Sequence, residues 1–381
     1  MVAATRRMAE IVAGRSAAIE TAGRLPDDVV AELRASGVPG LWLPAELGGV
    51  EAAPAEVVDA IATLAAADGS TGWCAAVAVG TGALAAYLPR HGAHSIFASP
   101  STLAGGSFNP AGRATADADG ALRLSGRWGF GSGGSHADWL SGACLLVDGD
   151  GEPVTSDDGR PEARLAFFPA AAVTIHDTWH TSGLRATASH DYEVEALAVP
   201  ADHAMPFTFD PWPSGSMSRM PPMPLFFAPL AAVALGLARG AIDDVVALAQ
   251  VKTPYRSARS LAERDVVQSI VARAEAAFRS ARAFLVETLD GLVAAAGAGA
   301  DITLQDRALA RLAVVNAARA GREAVDLCFE AAGTTSLFVD HPLQRRHRDV
   351  HAVGAHVVLA FPGLETVGRV LFGLEPDTPL I

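Results

Sequence analysis

Hydrophobic periodicity changes twice along this chain, and that double switch restricts the fold more than any single motif does. Up to about residue 100, apolar residues recur at helical spacing. Pro26-Asp27-Asp28 opens one helix with acids in its first turn, where they complement the positive end of the helix dipole, and another helix is expected from about Ala55 to Ala67. From about Leu103 to Pro200 the pattern becomes short alternating segments punctuated by Gly and Asp: Leu122–Trp128, Leu140–Val147, Arg164–Phe168, Val173–His176 and Tyr192–Val199. Period-two alternation between such turns is a strand signature. Helical spacing then returns over Leu225–Val251, Arg264–Ala296, Thr303–Ala332 and Asp349–Leu371, which suits a bundle of four long helices. The expected architecture is α+β. An N-terminal helical domain (1–102) leads to a central antiparallel β domain (103–204). A Pro/Met-rich loop and a C-terminal four-helix bundle (205–381) follow, with no internal repeat.

Composition removes several function classes. The formal net charge of -13, with no cluster of Lys and Arg, speaks against nucleic acid as a partner. Lys252 is the only lysine, so Schiff-base chemistry has a single candidate, and its Val-Lys-Thr-Pro setting reads as an ordinary helix end. Cys74, Cys144 and Cys328 are scattered without a Cys-x-x-Cys, which indicates neither a zinc site nor a disulfide framework and suits a cytoplasmic protein. Met1–Glu20 has no signal-peptide core, and no apolar stretch long and unbroken enough for a membrane span is expected. Neither a Gly-x-Ser-x-Gly elbow nor a Gly-x-x-x-x-Gly-Lys phosphate loop occurs, so hydrolase and NTPase chemistry lack support.

Several motifs carry competing readings. Gly80-Thr81-Gly82 mimics a dinucleotide fingerprint, but no Asp or Glu lies between Asp68 and Asp117 to hold a ribose, and the flanks look helical. Gly105–Gly112 reads as a Gly-rich turn whose N–H groups could bind a ligand, or as a plain interdomain turn. Met205–Phe227 holds four of the six methionines and six prolines. It reads equally as the mobile wall of an apolar pocket and as a stiffened linker. His347 and His351 share a helix face as metal ligands do, yet no third ligand is evident, and no metal is expected. His356 follows Arg348-Asp349 by about two turns. A neutral imidazole there can act as acid or base, whereas a lone His in an apolar helix is usually a satisfied core residue.

Four stretches together resemble the acyl-CoA dehydrogenase superfamily over essentially the whole chain. They are Pro44–Gly49, Gly126–Trp139 around Ser132, Trp179–Asp191, and the helix bearing Arg348-Asp349. In many true dehydrogenases of that family a glutamate base follows the Arg-Asp pair by about two turns. The matching position here is Val357, beside His356. The family's second location for the base aligns near Phe226, in an acid-free stretch, and Glu365 lies over two turns away. The chain is therefore most similar to the oxygenase components of two-component flavin-dependent monooxygenases, of the p-hydroxyphenylacetate, phenol and polyketide hydroxylase kind.

That resemblance implies reduced FMN or FAD supplied by a flavin reductase, O2 as co-substrate, and a homotetramer. A C4a-hydroperoxyflavin would transfer oxygen to an apolar, aromatic or polycyclic small molecule. It implies catalytic roles for Ser132, close to flavin N5, and for His356. It implies flavin contacts from Phe108, Asn109, Pro110, Phe130, Ser132, Gly133 and Trp179, and a phosphate contact from Arg256 or Arg259. The pocket would draw on Met205, Phe207, Met220, Met223 and Phe226. The alternatives are a dehydrogenase or desaturase with FAD and a displaced base, N- or S-oxygenation by the same peroxyflavin, and a homologue that has lost catalysis.

Overall fold

A computed structural model describes residues 2–156, 159–212, 215, 217–376, 378 and 381. Six helices come first: α1 (Val2–Ala13), α2 (Ser16–Ala22), α3 (Asp27–Ala35), α4 (Pro54–Ala67), α5 (Gly69–Ala83) and α6 (Arg90–Ile96). The cap of α5 is Asp68, whose carboxylate accepts from the Thr71 N–H at 2.7 Å. A carboxylate fits this cap because it also takes the Thr71 hydroxyl at 2.8 Å.

Seven strands form one sheet: β1 (Ala104–Ala116), β2 (Leu122–Trp128), β3 (Trp139–Leu146), β4 (Ala163–Pro169), β5 (Thr174–His176), β6 (Asp191–Val199) and β7 (Ala204–Pro206). Their order is β5-β6-β2-β1-β3-β4-β7. The β domain is not wholly antiparallel, because β1 and β3 run parallel at its centre. Gly105–Gly112 is also not a turn. It lies within β1, and residues 108–111 leave the ladder at an irregularity between Ser107 and Gly112. Trp128 fixes the layer: it is 1% exposed, stacks on Tyr192 at 5.4 Å and donates from Nε1 to the Ala143 carbonyl at 2.8 Å. A Cβ at Gly112, Gly126 or Gly142 would fall 2.5–2.7 Å from its ring, so the three glycines on neighbouring strands are the room the indole occupies.

The C-terminal helices are α7 (Pro222–Val251), α8 (Asp265–Gly297), α9 (Leu304–Ala332), α10 (Pro342–Gly354) and α11 (Pro362–Leu371). The helix expected over 349–371 is two helices. Pro362, which has no N–H and whose ring clashes with a preceding helical turn, fits only at the start of α11. His356 therefore stands in the turn between α10 and α11. Against expectation, α7 is long and apolar enough to cross a membrane, but 94% of that window is buried in the bundle, as a core helix hydrophobic all round should be. Bidentate contacts join the layers: Arg34 binds Asp138 at 2.6 and 3.1 Å, and Arg282 binds Asp59 at 2.7 Å through both nitrogens. Asp138 also accepts from the Leu103 N–H at 2.8 Å, so it ties α3 to the start of the sheet.

Candidate active site

The turn between β2 and β3 presents Ser132. Phe130 adopts a left-handed backbone (φ 65°) and leaves its ring 70% exposed, and Gly133 (φ 71°) donates its N–H to the Thr187 carbonyl at 2.8 Å. Ser132 Oγ accepts from Trp73 Nε1 at 3.0 Å and shares a proton with Ser189 Oγ at 2.7 Å. Thr187 Oγ1 donates to the Leu184 carbonyl at 2.8 Å, since a carbonyl only accepts. Its contact with Ser189 Oγ at 2.7 Å must then be donated by Ser189, which leaves Ser132 as the donor to Ser189. The Ser132 proton is committed inward, and its remaining lone pair can accept one more hydrogen bond.

His356 faces the same indole, with its ring 5.4 Å from that of Trp73 at 63°. The structure thus brings Ser132 and His356 together around Trp73, a residue of α5 that the sequence had not singled out. His356 is half-buried, and its pKa is pushed down to about 4, first by desolvation and then by the positive charge of Arg311. Nδ1 accepts from the Val358 N–H at 3.4 Å, so the neutral ring carries its proton on Nε2 and is a donor there.

Arg348 and Asp349 are not a pair. Arg348 turns outward to Glu20 at 2.5 Å and to Gln344 at 2.8 Å. Asp349 turns inward, 3% exposed, and accepts from the Leu184 N–H at 2.7 Å. Neighbours on a helix point about 100° apart, so adjacency in sequence opposes pairing. Asp349 is pushed up to about 7, chiefly by burial, with Asp68 beside it adding repulsion. A side chain at Gly183 would collide with the Arg348 carbonyl, which is how closely the 183–189 loop rides on α10.

An aromatic wall adjoins this cluster. Phe108, in the β1 irregularity, meets Phe226 at 4.8 Å and Phe207 at 6.3 Å, and Phe226 meets Phe227 at 5.9 Å. Phe207 continues to Phe209 at 5.7 Å, and Tyr87 lies 5.6 Å beyond. The Tyr87 hydroxyl donates to the Met220 carbonyl at 2.9 Å. Met217, Met220 and Met223 are buried. Trp179, donating from Nε1 to the Leu184 carbonyl at 3.0 Å, sets its ring edge-to-face with Phe130 at 6.0 Å.

Other expected residues lie apart. Asn109 and Pro110 face outward from the sheet irregularity. Met205 is a core residue of β7, opposite Leu165. Arg256 is exposed past the end of α7, its guanidinium over Tyr255 at 5.3 Å. That 30-residue helix is roughly 45 Å long, so Arg256 is remote from Phe226 within the chain. Arg259 is held by the Glu263 carbonyl. Gly80 lies inside α5 against Phe226. Asp191, held by Arg127 at 2.9 Å and Thr178 at 3.1 Å, stitches the sheet, whereas Arg185 is exposed. The third group beside His347 and His351 is Asp326 of α9, 3.3 and 2.9 Å from their Nε2 atoms. That cluster joins α9 to α10 away from Ser132.

Sequence alone does not single out Ser189, Thr187, Trp73 or Arg311. Arg311 did leave a signal, because it falls on the apolar stripe of α9 with Ala308, Val315 and Ala318.

Two family models match the chain: "Acyl-CoA dehydrogenase, N-terminal domain" over residues 1–96 and "Acyl-CoA dehydrogenase, C-terminal domain" over residues 228–361. Indole-3-acetate monooxygenase of Pseudomonas putida is 32% identical over 92% of this chain and 87% of its own. The oxygenase component of an FADH2-dependent resorcinol hydroxylase from Rhizobium sp. is 30% identical over 94% and 90%. Among solved structures, XiaF from Streptomyces sp., in complex with FADH2 and glycerol, superposes with a TM-score of 0.91 at 26% identity, covering 99% of this chain and 96% of that one.

Proposed function

Since the chain belongs to the acyl-CoA dehydrogenase family, among its flavin-dependent monooxygenases, we propose that it is the oxygenase half of a two-component system. A separate reductase supplies reduced FMN or FAD, and O2 converts it to a C4a-hydroperoxyflavin. One oxygen atom then passes to an apolar, aromatic or polycyclic small molecule and the other leaves as water. Aromatic relatives' substrates, indole-3-acetate and resorcinol, support that class.

The observation that carries this reading is the pair of opposite hydrogen-bonding groups that meet at Trp73. Ser132 is an oriented acceptor, which matches the N5–H of a reduced flavin, and His356 is a neutral donor. The residues present fit a flavin ring in another respect: the exposed face of Phe130 and the ring of Trp179 are apolar surfaces that a planar ligand would cover. With its pKa at about 4, His356 stays neutral at pH 7 and offers its Nε2 proton to an oxygen atom without charging the site. The Phe108–Phe226–Phe227 wall keeps water away, which the chemistry requires.

The dehydrogenase alternative lacks its base. Position 357 is a valine 69% exposed, position 226 is a buried phenylalanine, and Glu365 is exposed on α11. The assembly is a homotetramer in this reading. Its support is the apolar surface of Leu337, Phe338, Val339, Phe361 and Phe372, each at least 61% exposed in the single chain. Arg256 can meet a flavin only from a neighbouring copy.

Rapid mixing of the protein and anaerobically reduced FMN or FAD with oxygenated buffer, followed by absorbance, tests the proposal. A C4a-peroxyflavin spectrum that outlives the same species in free solution is expected. Immediate return of oxidised flavin with a full equivalent of hydrogen peroxide would overturn it.

A further inference from the structure

Arg311 puts a charge where the fold needs none. It is 9% exposed, and its Nη1 is sealed from solvent with no hydrogen-bond partner among the described residues. Among the described residues no carboxylate pairs with it, whereas the comparably buried Arg346 binds Asp244 at 2.6 Å. Its guanidinium lies over the ring of Phe227 at 5.0 Å. The first turn of α11 is shaped around it: a Cβ at Gly363 would come 2.9 Å from Nε and 3.1 Å from Nη2. Burial pulls its pKa only to about 10, so the group is cationic at neutral pH. An uncompensated buried cation is costly, and a fold that serves only stability replaces it with an apolar residue.

Its surroundings locate a counter-ion. Phe227 adjoins Phe226 and through it Phe108, so Arg311 stands at the bundle end of the aromatic wall. It is also close enough to His356 for its charge to be felt there. We propose that Arg311 is a substrate-recognition residue that binds the carboxylate of an aromatic acid whose ring lies along Phe227, Phe226 and Phe108. A guanidinium is suited to this because its N–H fork matches a carboxylate in plane. The oxidation that follows rests on the monooxygenase reading; the selectivity for an anion does not.

The test uses full-length protein titrated calorimetrically with matched acids and amides: indole-3-acetate against indole-3-acetamide, and 4-hydroxyphenylacetate against its amide. At least one acid should bind about tenfold or more tighter than its amide, the size expected of a charged hydrogen bond. Arg311→Met should abolish that preference and Arg311→Lys retain part of it. Because the methionine removes a buried charge, the thermal midpoint should hold or rise, which guards against simple misfolding. The proposal falls if no acid outbinds its amide, or if Arg311→Met keeps the preference. It also falls if the variant loses its native assembly while the parent shows no preference, since a second copy then supplies the counter-ion. Oxygen mixing with the parent decides the monooxygenase reading separately.

Discussion

On the β-domain side of the site, Thr187, Ser189 and Ser132 pass their protons along one fixed direction to the Leu184 carbonyl, and Trp73 closes the chain. On the bundle side, Arg311 carries a buried nitrogen that no described residue satisfies, and the His356 Nε2 proton has no partner among the described residues. The difference separates two tasks. A network satisfied within the protein is rigid before any ligand arrives, as suits a ring that is the same in every turnover. Groups left unsatisfied hold their energy in reserve for a ligand that completes them.

Replacing His356 should break the bundle half most severely. His356→Ala is expected to lower product formed per reduced flavin consumed by about 10²–10⁴-fold, the range for a positioned acid or base. Because the side chain is only half-buried, the thermal midpoint should move little. Oxygenation at the parent's yield would leave His356 a packing residue. The two halves meet at Asp349, and there pH is the probe. Its folded pKa is raised from 3.8 to about 7, so the folded state holds a proton that the unfolded chain releases. Stability from this group is therefore complete below about pH 4 and is lost as pH rises to about 7, on the order of 4 kcal/mol at most. Asp349→Asn keeps an acceptor for the Leu184 N–H and removes the titration. Its stability relative to the parent should be higher at pH 8 than at pH 5, as read by denaturant melts at both values. An equal difference at the two would show that Asp349 does not titrate there.

Rigidity of the β half is open to a smaller insult. Gly142→Ala sets a methyl 2.5 Å from the Trp128 ring and should cost about 1–3 kcal/mol of overpacking. Trp128 precedes the Ser132 turn on β2, so substrate-free peroxide release should rise in parallel. A variant with lost stability and unchanged peroxide release would uncouple the turn from the sheet beneath it.

Legibility followed the length scale of each feature. Long helices were readable, because thirty residues of periodicity outvote local exceptions; α7, α8 and α9 begin and end within a few residues of their expected limits. The break at Pro362 is hidden in the pattern, since the apolar spacing continues across it and only the proline marks the turn. The parallel pairing of β1 with β3 leaves no trace in alternation, which reports faces and not neighbours. In the site, Ser132 and His356 were reachable through family-like motifs. Their common partner Trp73 was not, because it is one aromatic in a helix buried on all sides. For Asp349 adjacency suggests Arg348 as partner, where the fold supplies the Leu184 N–H and the repulsion of Asp68. Arg311 was the most readable of the omissions, as a charge on an apolar stripe.

The smallest effect is the sharpest test of the directed chain. Ser189→Ala removes the acceptor for the Ser132 proton but leaves Ser132, Trp73 and their 3.0 Å contact in place. The freed hydroxyl can rotate, and part of the time it points its proton to where, in the proposed reading, a flavin N5–H would be accepted. Loss of one neutral hydrogen bond is worth about 1 kcal/mol, so the lifetime of the oxygenated flavin should shorten roughly fivefold, with a similarly small loss of stability. Thr187→Ser retains a donor for the Leu184 carbonyl and an acceptor for Ser189, so it should keep the parent's lifetime. Equal lifetimes in Ser189→Ala and the parent would mean that the flavin itself, and not the protein, decides which way the Ser132 proton points.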